Sequence, residues 1–164
     1  MAPERALAMD VHGGRDAAVL VPVFPQGGDL HAVFTRRRHD LRRHAGEISF
    51  PGGRQDEGDA DFAATALREA EEEIGLDREI GALLVVDWVP VLGPWTDALA
   101  FLFDGGILDG EELTLDPTEV RTAQFLTLTE ATPHLRPSMT RRLALAQQAL
   151  TTGHPSYADF GRDS

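Results

Sequence analysis

The segment from Asp59 to Gly75 constrains this chain more than any other, because one helix must be apolar on one face and densely acidic beside it. Phe62, Ala66, Ala70 and Ile74 recur every fourth residue and so share a helix face. Asp59 or Asp61 is suited to cap the start, and Gly75 stands where a left-handed terminal residue is wanted. Glu69 and Glu73 lie one turn apart beside the apolar stripe, with Glu72 next to them and Glu71 pointing away. Once the stripe is buried, Glu69 and Glu73 stand near the packed side of the helix and not on its far solvent side.

Around this helix the sequence reads as short strands punctuated by proline and glycine. Ala17 to Phe24 is a valine-rich run bounded by Pro25, Gly27 and Gly28, and Leu30 to Thr35 is its hairpin partner. Glu47 to Phe50 is a short strand broken by Pro51, Gly52 and Gly53. Leu83 to Val89, Ala98 to Phe103 and Val120 to Leu126 extend the set, and Met139 to Leu150 is a second amphipathic helix ending at Gly153. Strands outnumber helices without alternating regularly. This predicts an α+β fold, a mixed β-sheet packed between helices as an α/β/α sandwich. The 164 residues fit one domain. We expect it over 17–155, with 1–16 as an N-terminal extension and 156–164 as a C-terminal tail.

Composition narrows the chemistry. With 15 basic against 27 acidic side chains and a net charge of −12, the chain is not expected to bind nucleic acid. No apolar run approaches the roughly 20 residues of a membrane helix, and Met1 to Arg5 lacks a basic-then-apolar secretory pattern. A cytoplasmic location without a membrane partner is therefore expected. There is no cysteine, which excludes disulfides, thiolate metal sites, iron–sulfur clusters and a thiol nucleophile. There is no lysine either, so every fixed positive charge is an arginine fork suited to phosphate and carboxylate.

Like charges one turn apart oppose a helix unless something positive sits among them. A hard divalent cation, Mg²⁺ or Mn²⁺, suits carboxylate oxygens at this density, while a solvated acidic face is the bland alternative. Two features favour the cation: the acids flank the packed stripe, and a Gly-Gly loop precedes the helix, where bare backbone approaches a metal or phosphate closely. Arg68, four residues before Glu72, is placed to orient a carboxylate.

These residues resemble the signature of the Nudix hydrolase family: Gly, five residues, Glu, seven residues, then Arg-Glu-apolar-x-Glu-Glu-x-Gly-apolar. Arg68-Glu69-Ala70-Glu71-Glu72-Glu73-Ile74-Gly75-Leu76 matches the second half at every defined position. In the first half Gly53 is present, Asp59 replaces glutamate, and eight residues separate it from Arg68. Upstream, Thr35, Arg37, Arg42, Gly46 and Phe50-Pro51-Gly52-Gly53 resemble a motif of the coenzyme A pyrophosphatase branch, which also tolerates the longer spacing. The resemblance implies metal-dependent hydrolysis of a diphosphate linkage in a nucleotide-like substrate, coenzyme A or a derivative among them, with water as nucleophile. It implies Glu69, Glu72, Glu73 and the Gly52 carbonyl as metal ligands. Arg68 and Glu119 join them as catalytic residues, and Arg37, Arg42, Gly53 and Trp88 contact substrate. Nucleoside triphosphates or ADP-ribose as substrates, a non-catalytic binding module and a homodimer stay open at this point.

The arginine run has two readings of its own. Arg36, Arg37, Arg38, Arg42 and Arg43 form the one strongly basic stretch of an acidic chain. It is either a solvated loop paired to the acidic helix or a clamp that draws an anionic substrate inward. His39 and His44 read as polar loop residues. Trp88, Trp95, Phe101 and Phe103 read as core or edge of core, one of them available to stack on a base.

Overall fold

The computed structural model describes residues 16–40, 46–91 and 97–163. Strands β1 (Ala17–Gln26) and β2 (Asp29–Arg37) form a hairpin. Its turn residues Gly27 and Gly28 have φ of +63° and +91°, a conformation that side chains resist. Two short strands follow, β3 (Ile48–Ser49) on β2 and β4 (Gly52–Arg54) on β1. Helix α1 (Phe62–Ile74) leads to β5 (Leu83–Val89), β6 (Ala98–Ile107) and β7 (Val120–Thr127). The short α2 (Leu128–Ala131), a 3₁₀ turn, α3 (Pro137–Thr152), β8 (Ser156–Asp159) and β9 (Arg162–Asp163) complete the described chain.

The sheet runs β3-β2-β1-β6-β5-β8-β9, with β7 also on β2 and β4 on β1. The pairs β1·β6 and β5·β8 are parallel and the others antiparallel, so the sheet is mixed. Alternation along the central strands feeds two cores. Leu20 and Val33 pack with Ala70, Ile74 and Leu76 under α1. Val21, Ala32 and Phe34 pack with Phe50, Leu143 and Ala146 under α3. Phe34 and Phe50 are fully buried and stacked, ring centroids 4.9 Å apart. Burying each contributes on the order of 1.5–3 kcal/mol. This is the α+β sandwich expected from the sequence.

Three boundaries differ from expectation. Pro51-Gly52-Gly53 does not simply end a strand, since Gly52 and Gly53 begin β4 and pair with Val19 and Ala18. Strand β6 continues past Phe103 through Gly105 and Gly106. Residues 156–164, expected as a tail, carry β8 and β9. Val86 pairs with Tyr157, and the amide of Phe160 donates to the carbonyl of Trp88. A parallel pairing made across a whole helix leaves little local trace in a four-residue strand. The expected extension over 1–16 falls almost wholly outside the described residues, as do Arg42, Arg43, His44 and Trp95. Among the described residues no helix is long and apolar enough to cross a membrane.

Candidate active site

Helix α1 is fixed at both ends. Asp61, not Asp59, is the N-cap and accepts from the Ala64 amide at 2.9 Å. Gly75 takes the left-handed conformation at φ +68° and returns its amide to the Glu71 carbonyl at 2.9 Å. With the stripe packed on β1 and β2, Glu73 is drawn in to 4% exposure. Its Oε2 accepts from the Gly52 amide and its Oε1 from Arg37 Nη1, each at 3.3 Å. Burial outweighs both partners and pushes the carboxyl up to about 7 from 4.5. That rise costs the ionised form roughly 3 kcal/mol.

Glu69 is also raised, chiefly by burial, and the neighbouring Glu72 and Glu119 charges add to the rise. Its carboxylate lies against Gly53, where a Cβ would meet the three carboxyl atoms at 2.5–2.6 Å. A side chain at position 53 would therefore occupy the place of the carboxylate. At Gly52 φ is +150°, and a Cβ there would lie 2.4 Å from the Ala18 carbonyl oxygen. The Gly-Gly pair expected from the sequence thus seats both carboxylates, each glycine for its own steric reason.

Arg68 ties the acids together. Its Nε and Nη2 donate to the two oxygens of Asp59 at 2.9 and 3.1 Å, Nη2 also reaches Glu69 at 3.0 Å, and Nη1 reaches Glu72 at 2.9 Å. The Arg54 carbonyl accepts a further bond at 3.0 Å. The fork holds Asp59 well below the usual carboxylate range, helped by the Asp56 amide and the Thr65 hydroxyl. Asp59 therefore anchors the arginine, which in turn holds Glu69 and Glu72. Glu72 is 61% exposed at its side chain, and Glu71 is exposed on the face turned from the site.

Arg37 enters from β2 on the other side. Its Nη1 bonds Glu73 and its Nη2 reaches Glu119 Oε2 at 3.1 Å, so it joins an acid on α1 to one just before β7. Arg38 turns away, gripping Asp40 at 2.6 and 2.8 Å and the Pro117 carbonyl at 2.6 Å. Trp88, expected to contact substrate, is not brought to the carboxylates. It stands on β5 at 40% exposure, its indole donating to Asp97 at 3.4 Å. The sequence reading also missed Asp87. It is fully buried and bonded to Arg142 Nε and, at 2.8 Å, to the Gly161 amide. A charge placed inside the apolar strand Leu83–Val89 was the one available signal.

Among the described residues no three acidic or histidine side chains stand as a ready ligand set, and Arg68 and Arg37 engage the carboxylates. The donors nevertheless fit a hard cation. Glu69 and Glu73 offer oxygen ligands in a confined place where burial first, and then the charge of neighbouring acids, raises their proton affinity.

Known proteins share parts of this sequence and its fold. A stretch of 59 residues is 54% identical to a peroxisomal coenzyme A diphosphatase of Mus musculus, covering 36% of this chain and 25% of that protein. Over 113 residues the chain is 40% identical to the Nudix hydrolase NudL of Pectobacterium atrosepticum, covering 57% of this chain and 58% of that protein. The chain thus spans less than two thirds of these curated relatives. A MutT protein from Methanosarcina mazei superposes with a TM-score of 0.71 at 18% identity, over 84% of this chain and 96% of that one. The NUDIX domain of Shewanella oneidensis NrtR, complexed with ADP ribose, gives 0.71 at 15% identity, over 92% and 99%. At such identities these two structures establish the fold alone. The family model described as NUDIX domain matches residues 14–146, from the first strand into α3, and on that match the chain belongs to the NUDIX domain family.

Proposed function

We propose that this chain hydrolyses the diphosphate linkage of a nucleoside-diphosphate-linked small molecule, using Mg²⁺ or Mn²⁺ held by Glu69, Glu72, Glu73 and the Gly52 carbonyl. The observation that carries the reading is the pair of carboxylates, Glu73 buried and Glu69 half-buried, seated on Gly52 and Gly53 with raised proton affinity. A divalent cation held by these residues would supply charge neutralisation for the diphosphate and lower the pKa of an attacking water. The chain's own residues do the rest. Arg68 keeps Glu69 and Glu72 in fixed directions, with Asp59 as its anchor. Arg37 exchanges its carboxylate partners for substrate phosphate, and Arg42 adds a second fork. A carboxylate of the cluster, Glu69, Glu72, Glu73 or Glu119, accepts the proton of the water.

Coenzyme A or a derivative is the first substrate to try. The upstream motif and the mouse coenzyme A diphosphatase, 54% identical over 59 residues, support that order. ADP-ribose and free nucleoside triphosphates are the competing substrates. The test is product release by purified protein with Mg²⁺ against coenzyme A, ADP-ribose, diadenosine polyphosphates and the nucleoside triphosphates. Release of the two halves of a diphosphate-linked substrate, abolished by chelator, is expected. No release from any of them overturns the proposal.

A further inference from the structure

The two arginines of the site are held in opposite ways. Arg68 is locked, with bonds to Asp59, Glu69, Glu72 and the Arg54 carbonyl, and its anchor Asp59 is only 6% exposed at the side chain. Arg37 has two partners, Glu73 through Nη1 at 3.3 Å and Glu119 through Nη2 at 3.1 Å. Its Nε is buried and meets no acceptor among the described residues. An unpaired buried donor costs on the order of 1–3 kcal/mol. Of the two guanidiniums, Arg37 is therefore the one that a new anion can claim.

Both oxygens of Glu73 are engaged. Oε2 accepts from the Gly52 amide, which belongs to the main chain of β4 and is fixed by its pairing with Val19. Oε1 accepts from Arg37, and the side chain of Glu73 is 5% exposed, so little water screens what meets there. A divalent cation on this carboxylate and the guanidinium on the same carboxylate are like charges at close quarters. Arg37 cannot relieve the repulsion by losing its proton. It has to turn away from Glu73. Glu119 does not prevent the turn, because its side chain is 49% exposed and such an ion pair contributes only about 0–1 kcal/mol. It keeps Arg37 beside the site until a stronger anion takes its place.

Resting on the diphosphate reading above, we infer that Arg37 couples the cation to the substrate: it holds Glu73 until that carboxylate takes a divalent cation, and the fork so released receives a substrate phosphate. By linkage the coupling is reciprocal, so phosphate on Arg37 in turn opens Glu73 to the cation. Calorimetry with Mg²⁺ and 5′-AMP tests this without turnover. It is run at about pH 9, so that the Glu73 carboxyl, raised to about 7, is ionised. In wild type, saturating Mg²⁺ should tighten AMP binding by about tenfold or more. Arg37→Gln should bind Mg²⁺ alone more tightly than wild type by about fivefold or more, because the competing charge has gone, and its tightening of AMP by Mg²⁺ should fall to about twofold or less. Arg37→Lys keeps the charge without the fork, so its Mg²⁺ affinity should stay near that of wild type while the tightening is lost. A merely structural arginine would not split the two affinities in this way. Arg37→Gln that binds Mg²⁺ no better than wild type, or tightening that survives in Arg37→Gln, overturns the inference alone. Wild type that binds no Mg²⁺ removes the metal-dependent diphosphate reading itself, and the coupling with it.

Discussion

Glu73 carries its carboxylate into the boundary between α1 and the sheet, with one amide and one guanidinium as partners. Its carboxyl, raised from 4.5 to about 7, keeps a proton that the unfolded chain releases. The contribution of that protonated form to stability is complete below about pH 4.5 and is lost as pH rises through 7. In chelator, wild type should lose roughly 3 kcal/mol relative to Glu73→Gln between about pH 4 and pH 8 in urea unfolding. Parallel stability curves for the two proteins would contradict the burial argument. With metal present, Glu73→Gln and Glu69→Gln should each lower kcat by about 100-fold or more, while Glu71→Gln stays within about twofold. A loss in Glu71→Gln comparable to that in Glu73→Gln would mean the functional face of α1 is wrongly assigned.

At the scale of elements, β4 and α1 work as one unit, since the strand presents its two glycines to the carboxylates of the helix. Gly53→Ala sets a methyl where the Glu69 carboxylate now lies, so Glu69 must move. Activity should fall as far as in Glu69→Gln, with helical content unchanged by circular dichroism. Full activity in Gly53→Ala would show that Glu69 is not held as described. Asp61→Ala removes the N-cap and should cost about 1 kcal/mol in stability, without the catalytic loss expected at Glu69. Asp59 behaves differently from Asp61 despite similar spacing from the helix, because its partner is Arg68, nine residues on. Nothing periodic in the sequence separates these two aspartates. Only the loop that curls Asp59 back over α1 does.

For the molecule as a whole, the proposed cation site would couple binding to folding, because the acidic pocket exists only in the folded chain. At Mg²⁺ concentrations of about 100 Kd the native state gains on the order of 2.7 kcal/mol. For a domain of this size that is a Tm rise of roughly 5–10 °C. Glu73→Gln should blunt the rise and Glu71→Gln should keep it, as read by calorimetry with Mg²⁺ and with chelator. A Tm indifferent to Mg²⁺ in wild type would count against the carboxylates as ligands. The closing strand β8 belongs to this scale too. It is held by β5, and the buried Asp87 ties α3 to the Gly161 amide through Arg142, so the end of the described chain is part of the sheet.

Local patterns determined a great deal. The four-residue period fixed α1 and its buried face, valine-rich runs between prolines and glycines fixed the central strands, and the spacing of Arg68, Glu69, Glu72 and Glu73 fixed which acids share a surface. All of these are consequences of side-chain geometry within one or two turns of backbone. The tertiary structure decided what depends on distant partners. It brought Arg37 to Glu73 across 36 residues and Glu119 to Arg37 across 82, and it assigned Asp59 to Arg68. It separated Trp88 from the carboxylates and turned the end of the chain into a strand. An ion pair or a parallel strand pairing depends on where two chain segments meet, and that is set by the packing of the whole core and not by the sequence on either side.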